Sequence, residues 1–213
     1  MDRNSSCNDS QTPETMLKMI NQNERKTDYM NLDEKRKDSS VKQKKGLHFI
    51  LASVVLWSAV LAVHLTGLPI LTKNLLTFFI TAPLMPLAYL IAKVIRVDFS
   101  NKSNPLTSLG VLFSANQMLY LLIAMWVYPT VPEKMVMVLA MIFGAHLLPY
   151  GWLYQSKSYY FFSVLIPILI LFLGIRFPPY MVAGSMLVIE ILFSLSLAYE
   201  VRGLSRIQDE RGI

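Results

Sequence analysis

Cysteine is nearly absent from this sequence, and charge is scarce over most of its length. The single Cys7 among 213 residues excludes an intramolecular disulfide, and with it the small secreted scaffolds that depend on several. Charged residues make up 16% of the chain, against about 25% in an average soluble domain. The shortage is uneven: residues 1–46 hold 18 charges, which leaves 16 for the 167 residues that follow. Catalytic signatures are missing too. There is no Gly-x-Ser-x-Gly elbow, no His-Glu-x-x-His and no phosphate-binding glycine loop. The 3 histidines fall at different depths without clustered carboxylates, so neither a metal nor a cofactor is expected. These absences exclude a soluble globular domain and a nucleic-acid-binding domain.

What the sequence has instead is apolar length. A membrane-spanning helix needs about 20 mainly apolar residues. Six segments meet that need, near Leu47–Thr66, Asn74–Ile95, Leu106–Tyr128, Met135–Leu153, Tyr159–Ile175 and Tyr180–Tyr199. Gly67 and Pro69 stop the first, Asn104-Pro105 opens the third, and Pro129 and Pro132 part the third from the fourth. The expected fold is all-α, a polytopic bundle of about six transmembrane helices over residues 47–199. A polar cytoplasmic tail precedes it over 1–46 and a short one follows over 200–213. Residues 1–29 have the composition of disorder, and Met30 offers an alternative start of translation.

Lysine and arginine set the orientation. With the amino terminus inside, 17 of them fall on the cytoplasmic side and only Lys73, Lys134 and Arg176 on the other. Both termini are therefore expected in the cytoplasm. Lys42, Lys44 and Lys45 abut the first span, where they set topology and can meet anionic lipid headgroups at about 1 kcal/mol each. The bilayer is thus the expected partner; the oligomeric state is not readable.

Polar groups at mid-bilayer depth are the candidate site, because hydrocarbon leaves them unsatisfied. Glu190 lies near the centre of the sixth span with no charge within a turn, and Ser194 is placed to hydrogen-bond it from i+4. Burial favours its neutral form. It reads either as a proton or cation site or as a neutral carboxyl tying two helices together. His146 sits one turn before Pro149, either lining a cavity at a kink or satisfying a carbonyl that the proline frees. Thr107, Gly110, Ser114 and Gln117 form one polar stripe on the third span, with Asn116 beside it. The stripe is expected either to pack against a neighbouring helix or to line a solute path. Pro83, Pro86 and Pro167 mark further breaks, and those in the second and fifth spans would correspond in an inverted repeat. His64 is expected near water at the outer end of the first span. A small-solute transporter with a mid-membrane polar site, proton linkage being an option, is the leading functional reading; a membrane interaction protein whose polar groups are packing glue is the other.

Several stretches resemble a small family of multi-pass membrane proteins of Bacillus-type bacteria. They are Lys44-Lys-Gly-Leu-His-Phe-Ile-Leu-Ala-Ser53, Leu71-Thr-Lys-Asn-Leu-Leu-Thr-Phe78, Asn104-Pro-Leu-Thr-Ser-Leu-Gly110, the run from Asn116 to Tyr128, and Phe143-Gly-Ala-His-Leu-Leu-Pro-Tyr-Gly-Trp152. The resemblance covers about Asp38 to Tyr199. It implies an all-helical fold and a bacterial plasma-membrane address, and it carries no activity, because that family's function is itself unknown.

Overall fold

The computed structural model describes Glu14, residues 31–98 and residues 104–211, with side chains through Leu204. Cys7, Met30 and the rest of the 1–29 segment lie outside the described residues, Glu14 apart. No strand occurs among the described residues. The chain divides into two units at Lys35 and Arg36. Of the first, residues 31–35 are helical; the second holds the rest of that helix, to residue 42, and the apolar bundle.

The bundle contains α1 (Leu47–His64), α2 (Ile70–Thr81), α3 (Leu84–Val94), α4 (Leu106–Thr130), α5 (Met135–Leu153), α6 (Lys157–Arg176) and α7 (Pro179–Arg211). Five helical stretches are long and apolar enough to cross a membrane, and six if α2 and α3 count as one bent span. That agrees with the six expected. The bend of 43° falls at Ala82 and Pro83. Pro83 has no N–H to donate to Phe79 O one turn back, and the Thr81 hydroxyl beside the break turns back on Thr77 O at 3.0 Å. Pro86 breaks nothing, because it stands in the first turn of α3, where no intrahelical acceptor awaits its missing N–H.

Pro149 and Pro167 depart from expectation: each sits inside a continuous helix. The interruption between α2 and α3 therefore has no matching interruption in α6. At Pro167 the helix packs closely on α5. A Cβ on Gly144 of α5 would lie 2.6 Å from Ile166 Cγ2 and 2.8 Å from Pro167 Cδ, so the two helices touch through the missing side chain.

The core lies where α1, α5, α6 and α7 meet, with Ala52, Val60, Val136, Ile166, Met186 and Phe193 fully buried. α3 packs on α1. α4 is the outlier: it rests on α5 and touches α2 only lightly, and most of its apolar side chains are exposed. Lipid satisfies that exposure in a membrane, whereas water would penalise it.

The end of the expected polar tail is packed structure. Arg36 Nη2 donates to Trp152 O at 2.6 Å and its guanidinium stacks 4.5 Å above the Trp152 ring. Ser40 Oγ donates to Tyr154 O at 2.8 Å, and Asn104 Nδ2 to Asp38 Oδ2 at 3.0 Å. A left-handed turn then leads into α1, with φ of 45° at Lys44, 51° at Lys45 and 71° at Gly46. Only glycine fits at Gly46, since a Cβ would come within 3.0 Å of both Tyr154 and Tyr159.

Candidate functional site

The mid-depth polar residues separate into a cavity and a sealed contact behind it. The cavity, of about 430 Å³, lies among α1, the α2–α3 bend, α4 and α5. Gln117 and Ser114 reach it from α4, His146 and Tyr150 from α5, Thr81 from the bend, and Ser53 from α1. Most of the remaining wall is apolar or aromatic, including Trp57, Phe78, Met118 and Phe143. The sequence stripe on α4 thus faces protein and cavity. Its Thr107 end is occupied: Gln43 Nε2 donates to Thr107 Oγ1 at 3.3 Å, and Tyr150 donates to Gly110 O at 2.9 Å while lying 2.6 Å from Ser114 Oγ. The Gln117 amide makes no hydrogen bond among the described residues. Asn116 lies on the exposed side and donates to Tyr120 at 3.2 Å, so it does not share the cavity.

His146 is half-buried, and its Nδ1 lies 2.8 Å from Phe143 O. A carbonyl only accepts, so Nδ1 carries the hydrogen, and in a neutral ring Nε2 is an acceptor. The carbonyl is that of Phe143, not the Ala145 carbonyl that Pro149 was expected to free.

Glu190 is fully buried and does not line the cavity. Oε2 meets Ser53 Oγ, and Oε1 has no partner. Ser53 lines the cavity wall, so one hydroxyl separates Glu190 from it. Ser53 Oγ also lies 2.7 Å from Ile50 O. One hydroxyl hydrogen cannot serve both acceptors, so a full set of bonds needs a proton on Glu190. A buried carboxylate with a bare Oε1 and no cation would cost far more than a neutral acid there. Ser194 is not the partner; its Oγ is buried and unbonded. Sequence reasoning missed Ser53, although a hydroxyl at mid-depth in α1, flanked by apolar turns, was a usable signal.

A second polar cluster, at the Lys45 end of α1, was also missed. Lys45 Nζ lies 2.6 Å from Glu200 Oε2. Glu200 further accepts from Ser156 Oγ at 2.8 Å, Ser158 N at 2.8 Å and Ser158 Oγ at 2.7 Å. These bonds tie the start of α1 to the first turn of α6 and to α7, with the carboxylate at the positive end of α6. Tyr154, in the turn between α5 and α6, donates to Gln43 Oε1 at 2.7 Å; burial pushes its phenol above the ordinary range and keeps it a donor. Of the three juxtamembrane lysines expected at headgroups, Lys45 therefore faces inward, Lys44 donates to Ile95 O at 2.6 Å, and the exposed Lys42 pairs with Asp38 at 2.8 Å. His64 is buried, not wet, with Nε2 3.2 Å from Thr77 Oγ1. No three His, Cys, Asp or Glu residues gather as metal ligands among the described residues.

With this geometry in place, comparison with known families is decisive on one point. A model described as a family of unknown function, DUF7010, matches residues 32–200. The chain belongs to that family. The match reaches every spanning helix, ending within α7, and it begins six residues ahead of the Asp38 boundary expected from sequence. No curated protein and no solved structure matches the chain. Membership in DUF7010 thus agrees with a multi-span helical membrane protein and assigns no reaction.

Proposed function

We propose that this DUF7010 protein is a small-solute transporter whose site is the α1–α4–α5 cavity, with Glu190 as a protonatable group one hydroxyl behind the wall. The observation that carries this reading is the convergence of Gln117, His146 and Ser114 on one cavity of about 430 Å³ at mid-span, at the break of the second span. Transporters place sites at broken helices because free backbone groups and irregular packing are tolerated only where they line a cavity. The lysine and arginine bias supports cytoplasmic termini, and the resemblance to a bacterial family supports a bacterial plasma membrane, with anionic lipid beside Lys42.

The test uses proteoliposomes loaded with a pH-reporting dye, challenged with a panel of uncharged solutes under an imposed proton gradient. Wild type is expected to move at least one solute and to acidify or alkalinise the lumen with it. Gln117→Leu is expected to lower that flux, and Glu190→Gln to abolish its proton coupling. Equal flux and equal coupling in all three proteins would sink the reading.

One observation favours the second reading, a membrane interaction protein. Asn116 lies near the middle of α4 on its exposed face, with Tyr120 as its one partner among the described residues. An amide in lipid is a site of helix association. Loss of a copurifying partner in Asn116→Leu, with flux absent from wild type, would favour it over transport.

A further inference from the structure

Two features of the cavity identify the kind of molecule it takes. The first is where it opens. Met85, Val111 and Met118 all line it, yet they are 45%, 59% and 61% exposed. Residues that border a cavity and also stand on the outer surface form its rim. Met118 lies near the centre of α4 and Met85 just past the break of the second span, so this rim is at mid-bilayer depth. α3 and α4 scarcely touch one another, which leaves the gap between them open sideways. A molecule entering there comes from the lipid and not from either aqueous side.

The second feature is charge. Among the described residues, no Asp, Glu, Lys or Arg lines the cavity. Glu190 is screened from it by Ser53 and is bonded as a neutral acid would be. Lys45, Lys73 and Lys134 spend their ammonium groups on Glu200, His64 O and Gly174 O at the ends of the spans. An ionic ligand would enter this volume with no counter-charge, at a cost of several kcal/mol. Polar capacity does remain: the Gln117 amide is unbonded, and the neutral His146 ring keeps Nε2 as an acceptor once Nδ1 is committed to Phe143 O. A hydroxyl needs this complement, one donor to it and one acceptor from it. Trp57, Phe78 and Phe143 supply flat apolar walls for the remainder of the ligand.

We infer that the cavity binds an uncharged, hydroxyl-bearing amphiphile drawn laterally from the bilayer, its polar end at Gln117 and His146 and its hydrocarbon toward the Met118–Met85 rim. This rests on the transport reading for the site's location and names the substrate class for it, but binding itself does not require transport.

The test is photolabelling of the full chain in liposomes, with hexadecanol carrying a mid-chain diazirine as the probe. Hexadecylamine and hexadecanoic acid analogues serve as the charged arms, and labelled residues are mapped by peptide sequencing. The alcohol is expected to label cavity residues such as Phe143 and Leu121. Ala115→Trp, which fills the cavity from an exposed α4 position without touching the core, is expected to remove that labelling. Gln117→Leu is expected to weaken it about fivefold, the change that one neutral hydrogen bond makes. Labelling spread over lipid-facing positions such as Leu112 and Phe172, and unchanged in Ala115→Trp, overturns the proposal. So does an amine that labels the cavity more strongly than the alcohol and loses that preference in Glu190→Gln, since this would show a charged Glu190 serving a cation. Cavity labelling without flux of any solute supports this ligand class and removes transport. Flux of a water-soluble solute with no cavity labelling does the reverse.

Discussion

Replacing Glu190 tests the hydrogen count at the centre of the bundle. Ser53 Oγ has one hydrogen and two neighbours that can accept it, Ile50 O at 2.7 Å and Glu190 Oε2. A protonated Glu190 completes both bonds, donating to Ser53 while Ser53 donates to Ile50. Glu190→Gln keeps a donor to Ser53 and adds one N–H with no acceptor in a fully buried site. The expected loss is about 1–2 kcal/mol, the lower range for one orphaned polar group. Glu190→Met removes the bond to Ser53, worth about 0.5–1.5 kcal/mol, and also removes the unpartnered Oε1, so it should cost no more than about 1 kcal/mol. Ser53→Ala is expected to cost more, about 1–3 kcal/mol, because it strands the Glu190 proton. The Ser53→Ala, Glu190→Met double variant should then be more stable than the sum of its parts. Reversible unfolding of the full chain in bicelles or mixed micelles measures all four. Losses of about 3 kcal/mol or more in both Glu190→Gln and Glu190→Met would refute the reasoning, because that magnitude belongs to a charge deprived of its partner.

Three further perturbations address the scaffold. Gly144→Ala places a methyl 2.6 Å from Ile166 Cγ2 and should destabilise the α5–α6 contact by about 1–3 kcal/mol, read in the same unfolding assay. Lys45→Met leaves Glu200, whose side chain is 20% exposed, with hydroxyl and backbone donors only; about 3 kcal/mol should be lost, and Glu200→Gln added to it should restore part. Pro86→Ala should change stability by less than about 0.5 kcal/mol, since the first turn of α3 offers no bond for the regained N–H, whereas Pro83→Ala should reduce the 43° bend, measured as a spin-label distance between α2 and α3.

The spans were legible in the sequence because their signals are local. Twenty apolar residues, a proline after them and a lysine at the end are read within one window, and the break at Pro83 follows from its missing N–H. Pro149 and Pro167 show the limit of that logic. Whether an internal proline breaks a helix depends on its neighbours, and the close approach of Gly144 to Pro167 is a tertiary fact. The candidate site divides in the same way. Gln117, Ser114 and His146 stood out as polar groups at mid-depth and do share a cavity, and Glu190 stood out as the one deep charge. Their partners did not stand out. Ser53 is 137 residues from Glu190, and Lys45 is 155 from Glu200, distances over which no periodicity carries information. Ser194, one turn from Glu190, was the local candidate for its bond and does not make it.

Several of the cations behind the expected orientation also close the ends of helices. Arg36 donates to Trp152 O near the end of α5, Lys44 to Ile95 O just past α3, Lys73 to His64 O at the end of α1, and Lys134 to Gly174 O in the last turn of α6. Each donor comes from a different element than the helix it caps. A helix ending at a membrane surface leaves carbonyls unsatisfied and carries the negative end of its dipole there, so an ammonium or guanidinium from a neighbour is doubly favourable. Lys73 and Lys134, two of the three cations that the expected orientation puts on the opposite side, act as caps here. With Lys45 held by Glu200, these cations stay at the rims of the bundle, and the space between α1, α4 and α5 is left without charge. A neutral interior follows from how the ends of the helices are closed.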